Sequence, residues 1–212
     1  MYVIKYIFTI IYSIKGFFYF FKLNLDFTMK NFLSLSAFLF ITGCSFFNNQ
    51  TNYTFFDIGS PDQKDTCNLG LIIKPVKSEL PFGKKMVFIT SKYSVTSDSY
   101  NKWSKSPKEL VSQYLELYFN NPNKKLNNKT DNKYTLNVKI FNFACYSTKS
   151  EILLQMNIKV SNNKTNKILI NKNLIQNIKF EELTADSFAG AMSRGVNNIC
   201  SEIKTSLLKL NE

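Results

Sequence analysis

The residue types in this chain decide first what chemistry it can carry. It contains no His, which excludes Ser-His-Asp and Cys-His nucleophiles, His-ligated zinc and a His pH switch. Its four Cys stand at positions 44, 67, 145 and 200. None forms a C-x-x-C pair, so no zinc or dithiol motif follows. Ser201 and Lys204 in "SEIK" have the S-x-x-K spacing of Ser/Lys acyl transfer, but the partner motifs of that class are missing and the pair falls in a helical pattern. With no catalytic set, no metal set and no cofactor motif, the expectation is a non-enzymatic protein. The informative Cys is Cys44, which ends the apolar run "FLSLSAFLFITGC" and is followed at once by the polar "SFFNNQTN".

A buried helix or strand gains nothing from that order, whereas a targeting signal followed by a lipid-modified thiol does. Ile41-Thr42-Gly43-Cys44 resembles the bacterial lipobox. In that pattern small residues admit a signal peptidase, and the Cys thiol takes a diacylglyceryl group. Cleavage then frees the Cys amine for a further acyl chain. A single chain is only marginally retained by a bilayer, and each buried methylene contributes about 0.8 kcal/mol, so several chains make a stable anchor. Met29, the basic Lys30 and the apolar centre Phe32–Phe40 supply the remaining parts of a secretory signal. We therefore expect a signal peptide over 29–43, with Ile41, Thr42 and Gly43 recognised by the peptidase, and Cys44 as the lipidated residue. Residues 1–28 are then an over-extended or atypical N-terminal segment. Within them only nine residues separate Lys5 from Lys15, too few for the roughly 20 that span a bilayer as a helix. Ser45, where an Asp would signal inner-membrane retention, points to a Gram-negative outer membrane, with the chain facing the periplasm.

The 212 residues carry a net charge of +12. Residues 1–43 hold four Lys and one Asp, leaving +9 on the remainder. Of the 27 basic residues only Arg194 is Arg. Nucleic-acid sites favour Arg for its bidentate fork, so no nucleic-acid partner is expected. Attraction to anionic headgroups fits the charge better.

A short linker, 44–52, leads into a single domain over 53–212. Its first runs are "YTFFDI", "LGLIIKPV" and "KMVFITSKYSV", rich in β-branched and aromatic residues and separated by turn signals such as "GSPD". A helix follows. Ser106 is the N-cap, Pro107 the first helical residue, and Glu109 completes a capping box. Val111, Tyr114, Leu115 and Tyr118 share a face, and Asn120-Asn121-Pro122 stops the helix. Trp103, just ahead of it, is expected in the core.

"YTLNVKI" and "ILLQMNIKV" alternate apolar and polar residues strictly, with a parity slip at Ile140-Phe141 that predicts a bulge. "SNNKTN" reads as a hairpin turn into "KILINKNLIQNIKF". The last helix is capped by Thr184 and carries the stripe Phe188, Met192, Val196, Ile199, Ile203 and Leu207; Gly190 and Gly195 are expected to pack closely on the sheet. The resulting expectation is an α+β two-layer domain: a mostly antiparallel sheet with two helices packed on one face, in the order βββαβββα. The opposite sheet face, Asn- and Lys-rich, is left for solvent or partners. Cys67, Cys145 and Cys200 allow at most one bridge, with the pairing open.

In this order the segments resemble the ABC-type transport auxiliary lipoprotein family, the lipoprotein partners of Mce-type lipid transport systems. The carriers are the lipobox, "YTFFDIGSP", "LIIKPVKSELPF", "YNKWSKSPKELVSQYL", "YTLNVKIFNF" and "SFAGAMSRGVNNI". This chain departs from the family pattern in its basic, Asn-rich loops, and where an Arg is expected after the Pro-Val pair it has Lys84-Lys85. The resemblance implies an outer-membrane-anchored, non-enzymatic accessory of a phospholipid transport system. Its partners would be an Mce-domain protein, an ABC permease complex and further copies of itself. The alternative is an outer-membrane assembly lipoprotein of the lipopolysaccharide-translocon type, which would bind a β-barrel directly.

Overall fold

The structure is a computed structural model that describes residues 52–125 and 133–210. Its elements in chain order are β1 (Thr54–Phe56), β2 (Ile72–Ile73), β3 (Lys77–Ser78), β4 (Lys85–Ser91), β5 (Ser94–Trp103), α1 (Pro107–Phe119), β6 (Tyr134–Tyr146), β7 (Glu151–Asn162), β8 (Ile168–Gln176) and α2 (Ala185–Lys209). All eight strands join one sheet in the order β1-β5-β4-β6-β7-β8, with β2 and β3 also paired to β6.

This corrects the expected fold class in two respects. The sheet is mixed rather than mostly antiparallel: β1 pairs β5, and β2, β3 and β4 pair β6, all in parallel. Only β4–β5, β6–β7 and β7–β8 are antiparallel. The order is also not βββαβββα, because five strands precede α1. Alternation marks a half-buried strand but carries no information about its direction or its neighbour. The long strand β6 offers one edge on which β2, β3 and β4 line up end to end, at Thr135–Leu136, Lys139–Ile140 and Cys145–Tyr146.

The run "KMVFITSKYSV" is not one strand. It folds back at Lys92-Tyr93, so Ile89 faces Val95 across a hairpin. The returning strand β5, "SVTSDSYNKW", has no apolar alternation. It is held by its ladder to β4 and, at Asn101–Trp103, by β1. Its anchor is Trp103, fully buried and edge-on to Phe143 and Phe188, with ring centroids 5.2 and 5.3 Å away.

The locally encoded features follow the sequence. Glu109 accepts a hydrogen bond from the Ser106 backbone N–H at 2.8 Å, the reciprocal arm of a capping box. Asn120 caps α1, and its amide holds the Leu71 backbone from both sides, accepting from the N–H at 2.9 Å and donating to the carbonyl at 3.0 Å. The β6–β7 ladder slips between Ile140 and Asn142, which puts the bulge at Phe141. Thr184 accepts from the Ser187 N–H at 3.1 Å. The α2 stripe is buried from Phe188 to Leu207 in one core cluster with the inward residues of α1, β6 and β7.

The two helix glycines differ. A Cβ on Gly195 would stand 2.9 Å from Ile152 Cδ1 and 3.1 Å from Leu154 Cδ2, so α2 lies close enough on β7 that any added side chain must displace the ends of these two. Gly190 does not meet the sheet. Its nearest neighbour would be the Arg194 side chain at 3.8 Å, and it lines a shallow groove with Phe55 and Ser193. Gly195→Val is therefore expected to overpack the α2–β7 contact and cost about 1–3 kcal/mol. Gly195→Ala should cost less, because its gain in helix propensity of about 1 kcal/mol offsets part of the crowding. Urea midpoints of the two variants check this. A Val variant as stable as the parent would show that the two side chains yield freely.

Candidate functional site

Helices cover the face that carries Leu136, Val138, Ile152, Leu154 and Ile158; alternation sends the residues between them to the other face. Cross-strand register assembles these into two rows. Asn137, Lys159 and Asn171 form one; Lys139, Asn157 and Asn173 form the other. Asn157 ties the rows together, donating to Asn173 Oδ1 at 2.8 Å and Asn171 Oδ1 at 3.2 Å. Pro75 and Lys77 edge the same surface and complete a groove of about 300 Å³ with Asn137, Lys139, Asn157 and Lys159. Lys139 is paired with Glu79 at 2.7 Å. Among the described residues Lys77 and Lys159 make no ion pair, so the groove carries uncompensated positive charge.

Past the Phe141 bulge the character of this face changes. Asn142 donates to Gln155 at 2.7 Å, and beyond them Ala144 pairs with Leu153. Phe88 points to the helix side, where it meets Phe188 at 5.5 Å, so its neighbours Val87 and Ile89 point the opposite way. With Leu80, Phe82, Val95, Pro107 and Ala144 they line an apolar depression of about 100 Å³. The hairpin tip beside it presents Tyr93, which is 87% exposed. The face is thus basic at one end and apolar at the other. The arrangement suits a ligand or partner surface that pairs negative charge with an apolar contact.

Lys139 holds the Glu79 carboxyl below the ordinary carboxylate range by hydrogen bond and charge, and two hydrogen bonds from Ser106 do the same for Glu109. Carboxyls lowered on folding stabilise the protein above their unfolded pKa, and that contribution is lost as pH falls through the lowered, folded values. Stability is expected to fall on acidification below about pH 4.5, with a shallower acid limb in Glu79→Gln. Denaturation midpoints measured from pH 3 to 7 check this; identical acid limbs would rule out the pair as a contributor.

The residues expected to carry the anchor, Ile41, Thr42, Gly43 and Cys44, lie outside the described residues. The Ser201–Lys204 spacing is not assembled into an acyl-transfer pair: Lys204 donates to the Asp65 carbonyl at 3.1 Å. Cys67, Cys145 and Cys200 are free thiols, and burial pushes Cys145 up to about 11. Among the described residues no three potential metal ligands come together, and no helix is long and apolar enough to cross a membrane. Sequence reasoning found the Asn- and Lys-rich face but neither its rows nor the apolar depression. Its signal was available in "KMVFI", where residues of both parities are apolar, as in a strand covered on both faces.

These features define a class: a mixed-sheet α+β domain with one polar-to-apolar sheet face left uncovered. No family model matches the chain, and no curated protein matches its sequence. Solved structures share the fold. A crystal structure of protein XCC0632 from Xanthomonas campestris, described under the family model DUF330, is similar with a TM-score of 0.57 at 7% identity, over 72% of this chain and 92% of that one. A second, described only as an uncharacterized protein, is similar with a TM-score of 0.58 at 12% identity, over 74% of this chain and 99% of that one. At such identities the likeness is one of fold.

Proposed function

We propose that this chain is an outer-membrane-anchored periplasmic lipoprotein that acts as a non-enzymatic accessory of an ABC/Mce-type phospholipid transport system. The observation that carries the reading is the order of its parts. Ile41-Thr42-Gly43-Cys44 ends an apolar signal-like run, and the domain that follows leaves open a sheet face with the basic Lys77/Lys159 groove and the apolar Val87/Ile89 depression. A lipid on Cys44 would hold the domain at the membrane, and the open face would meet an acidic or amphipathic surface of an Mce-domain protein. The accessory role itself rests on the family resemblance.

Crosslinking the acylated protein in membranes, followed by affinity capture and mass spectrometry, tests this. Recovery of an Mce-domain protein or its ABC permease is the expected result. Recovery of a β-barrel with lipopolysaccharide instead would replace the transport reading with an assembly role. Fractionation into the inner membrane would overturn the assigned location.

A further inference from the structure

Two of the thiols stand on segments that the fold clamps together. Residues Asp65 to Leu69 run along the end of α1: the Cys67 N–H donates to the Tyr118 carbonyl at 2.7 Å, the Leu69 N–H to Phe119 at 2.7 Å, and the Asn121 N–H to the Cys67 carbonyl at 3.0 Å. Cys67 is therefore held from both sides of its own backbone. The same strap is tied to α2 at Asp65, whose carboxylate accepts from Asn197 Nδ2 at 3.3 Å and whose carbonyl accepts from Lys204 Nζ at 3.1 Å.

Asn197 and Lys204 are seven residues apart, two helical turns, and so share a face of α2. Cys200 falls between them, three residues after Asn197 and four before Lys204. It is fully buried in the core cluster, and Cys67 packs against that same cluster. Tyr118 stands at this junction, since its carbonyl accepts from the Cys67 N–H and Lys204 lies 5.9 Å over its ring. Cys145 is placed elsewhere, on β6 between Phe88 of β4 and Ile152 of β7.

We propose that Cys67 and Cys200 are a redox pair which a disulfide oxidant closes into a bond stapling the strap before β2 to α2, while Cys145 remains a thiol. Closure is two exchanges. Partial burial raises the Cys67 thiol and the nearby Lys204 charge offsets part of that; its thiolate attacks one sulfur of an incoming disulfide R–S–S–R and releases RS⁻. The Cys200 thiolate then attacks the Cys67 sulfur of the mixed disulfide and expels the second RS⁻. Two protein thiols lose two protons and two electrons, and the oxidant is reduced to two thiols. Burial raises the Cys200 thiol above its ordinary value, so the second exchange is the slow one and quickens with pH. The inference rests on the contacts around Asp65 and does not depend on the proposed transport role.

The test uses the full chain, reduced and then incubated with oxidised glutathione, its free thiols blocked before digestion. Mass spectrometry should recover the Cys67 peptide bonded to the Cys200 peptide, and Cys145 in blocked form once the chain is unfolded. The bond would close a loop of about 130 residues, and oxidation should raise Tm on the order of 10 °C. That rise should persist in Cys145→Ser and vanish in Cys67→Ser. Glutathione retained on Cys67 without a Cys200 link, a link from Cys67 to Cys145 or Cys44, or a Tm rise that survives in Cys67→Ser would each overturn the pair.

Discussion

Cys44→Ala is expected to move the protein from the membrane pellet to the soluble fraction. Every acyl chain of the proposed anchor is carried by the sulfur or the freed amine of this residue, so one substitution removes them all. A single myristoyl-sized chain binds bilayers with a constant of only about 10⁴ M⁻¹, so loss of two or three chains abolishes stable retention. What remains is the attraction of the basic surface to anionic headgroups, about 1 kcal/mol per Lys near the surface and falling with salt. The distinguishing measurement is fractionation after a high-salt wash. Parent protein should stay in the pellet and Cys44→Ala should not. A variant that resists the wash would show that the apolar residues before Cys44 hold the chain, and they would then be the segment to delete.

Trp103→Ala should produce the largest loss of stability. The side chain is completely buried where β5 ends, and its ring stands edge-on to Phe143 of β6 and Phe188 of α2. It thus joins the strand that sequence patterning does not reveal to the sheet centre and the last helix. Truncating a buried Trp costs about 3–5 kcal/mol, a large part of the 5–15 kcal/mol that holds an ordinary domain folded. Trp103→Phe should be much milder for two reasons. It keeps an aromatic edge for both partners, and it removes the indole Nε1–H, which is buried with no hydrogen-bond partner and so carries an uncompensated desolvation cost of about 1–3 kcal/mol. Denaturant midpoints and slopes for the two variants check the ranking. An Ala variant within 1 kcal/mol of the parent would mean that the neighbouring rings close over the gap.

The same two positions show what was legible. The chemistry assigned to Cys44 needs no tertiary structure, because an export and acylation signal is read by other proteins as an extended string of residue types. Trp103 could be placed in the core from its apolar bulk, yet nothing local said which elements it joins. Features confined to a few neighbouring residues follow the sequence closely: the Ser106–Glu109 cap, the Thr184 cap, the bulge at Phe141 and the α2 stripe. The caps are closed by hydrogen bonds within one turn of chain, and the bulge and the stripe are marked by residue spacing alone. Strand β5 was missed because its pairing to β4 and β1 holds it in place, which leaves its own side chains free to be polar.

The candidate face divides along the same line. Its Asn and Lys residues are legible one by one, since each occupies the wet parity of an alternating strand. Their assembly into rows depends on the register of β6, β7 and β8. The apolar end depends on a tight turn at Lys92-Tyr93 that brings Val95 back beside Ile89. The neighbourhood of Cys67 and Cys200 likewise arises only when Asp65 reaches Asn197 and Lys204 across the fold. By itself, then, the sequence determined the absence of His chemistry, the helix caps and the two-sided character of the long strands, and it carries the expectation of an anchor, since each depends on residue type and short spacing. Strand direction, the mixed sheet, the two-toned face and the meeting of the Cys67 strap with the Cys200 helix were decided by tertiary structure, because pairing between distant segments is chosen by the best joint burial of the whole chain and no single segment records it.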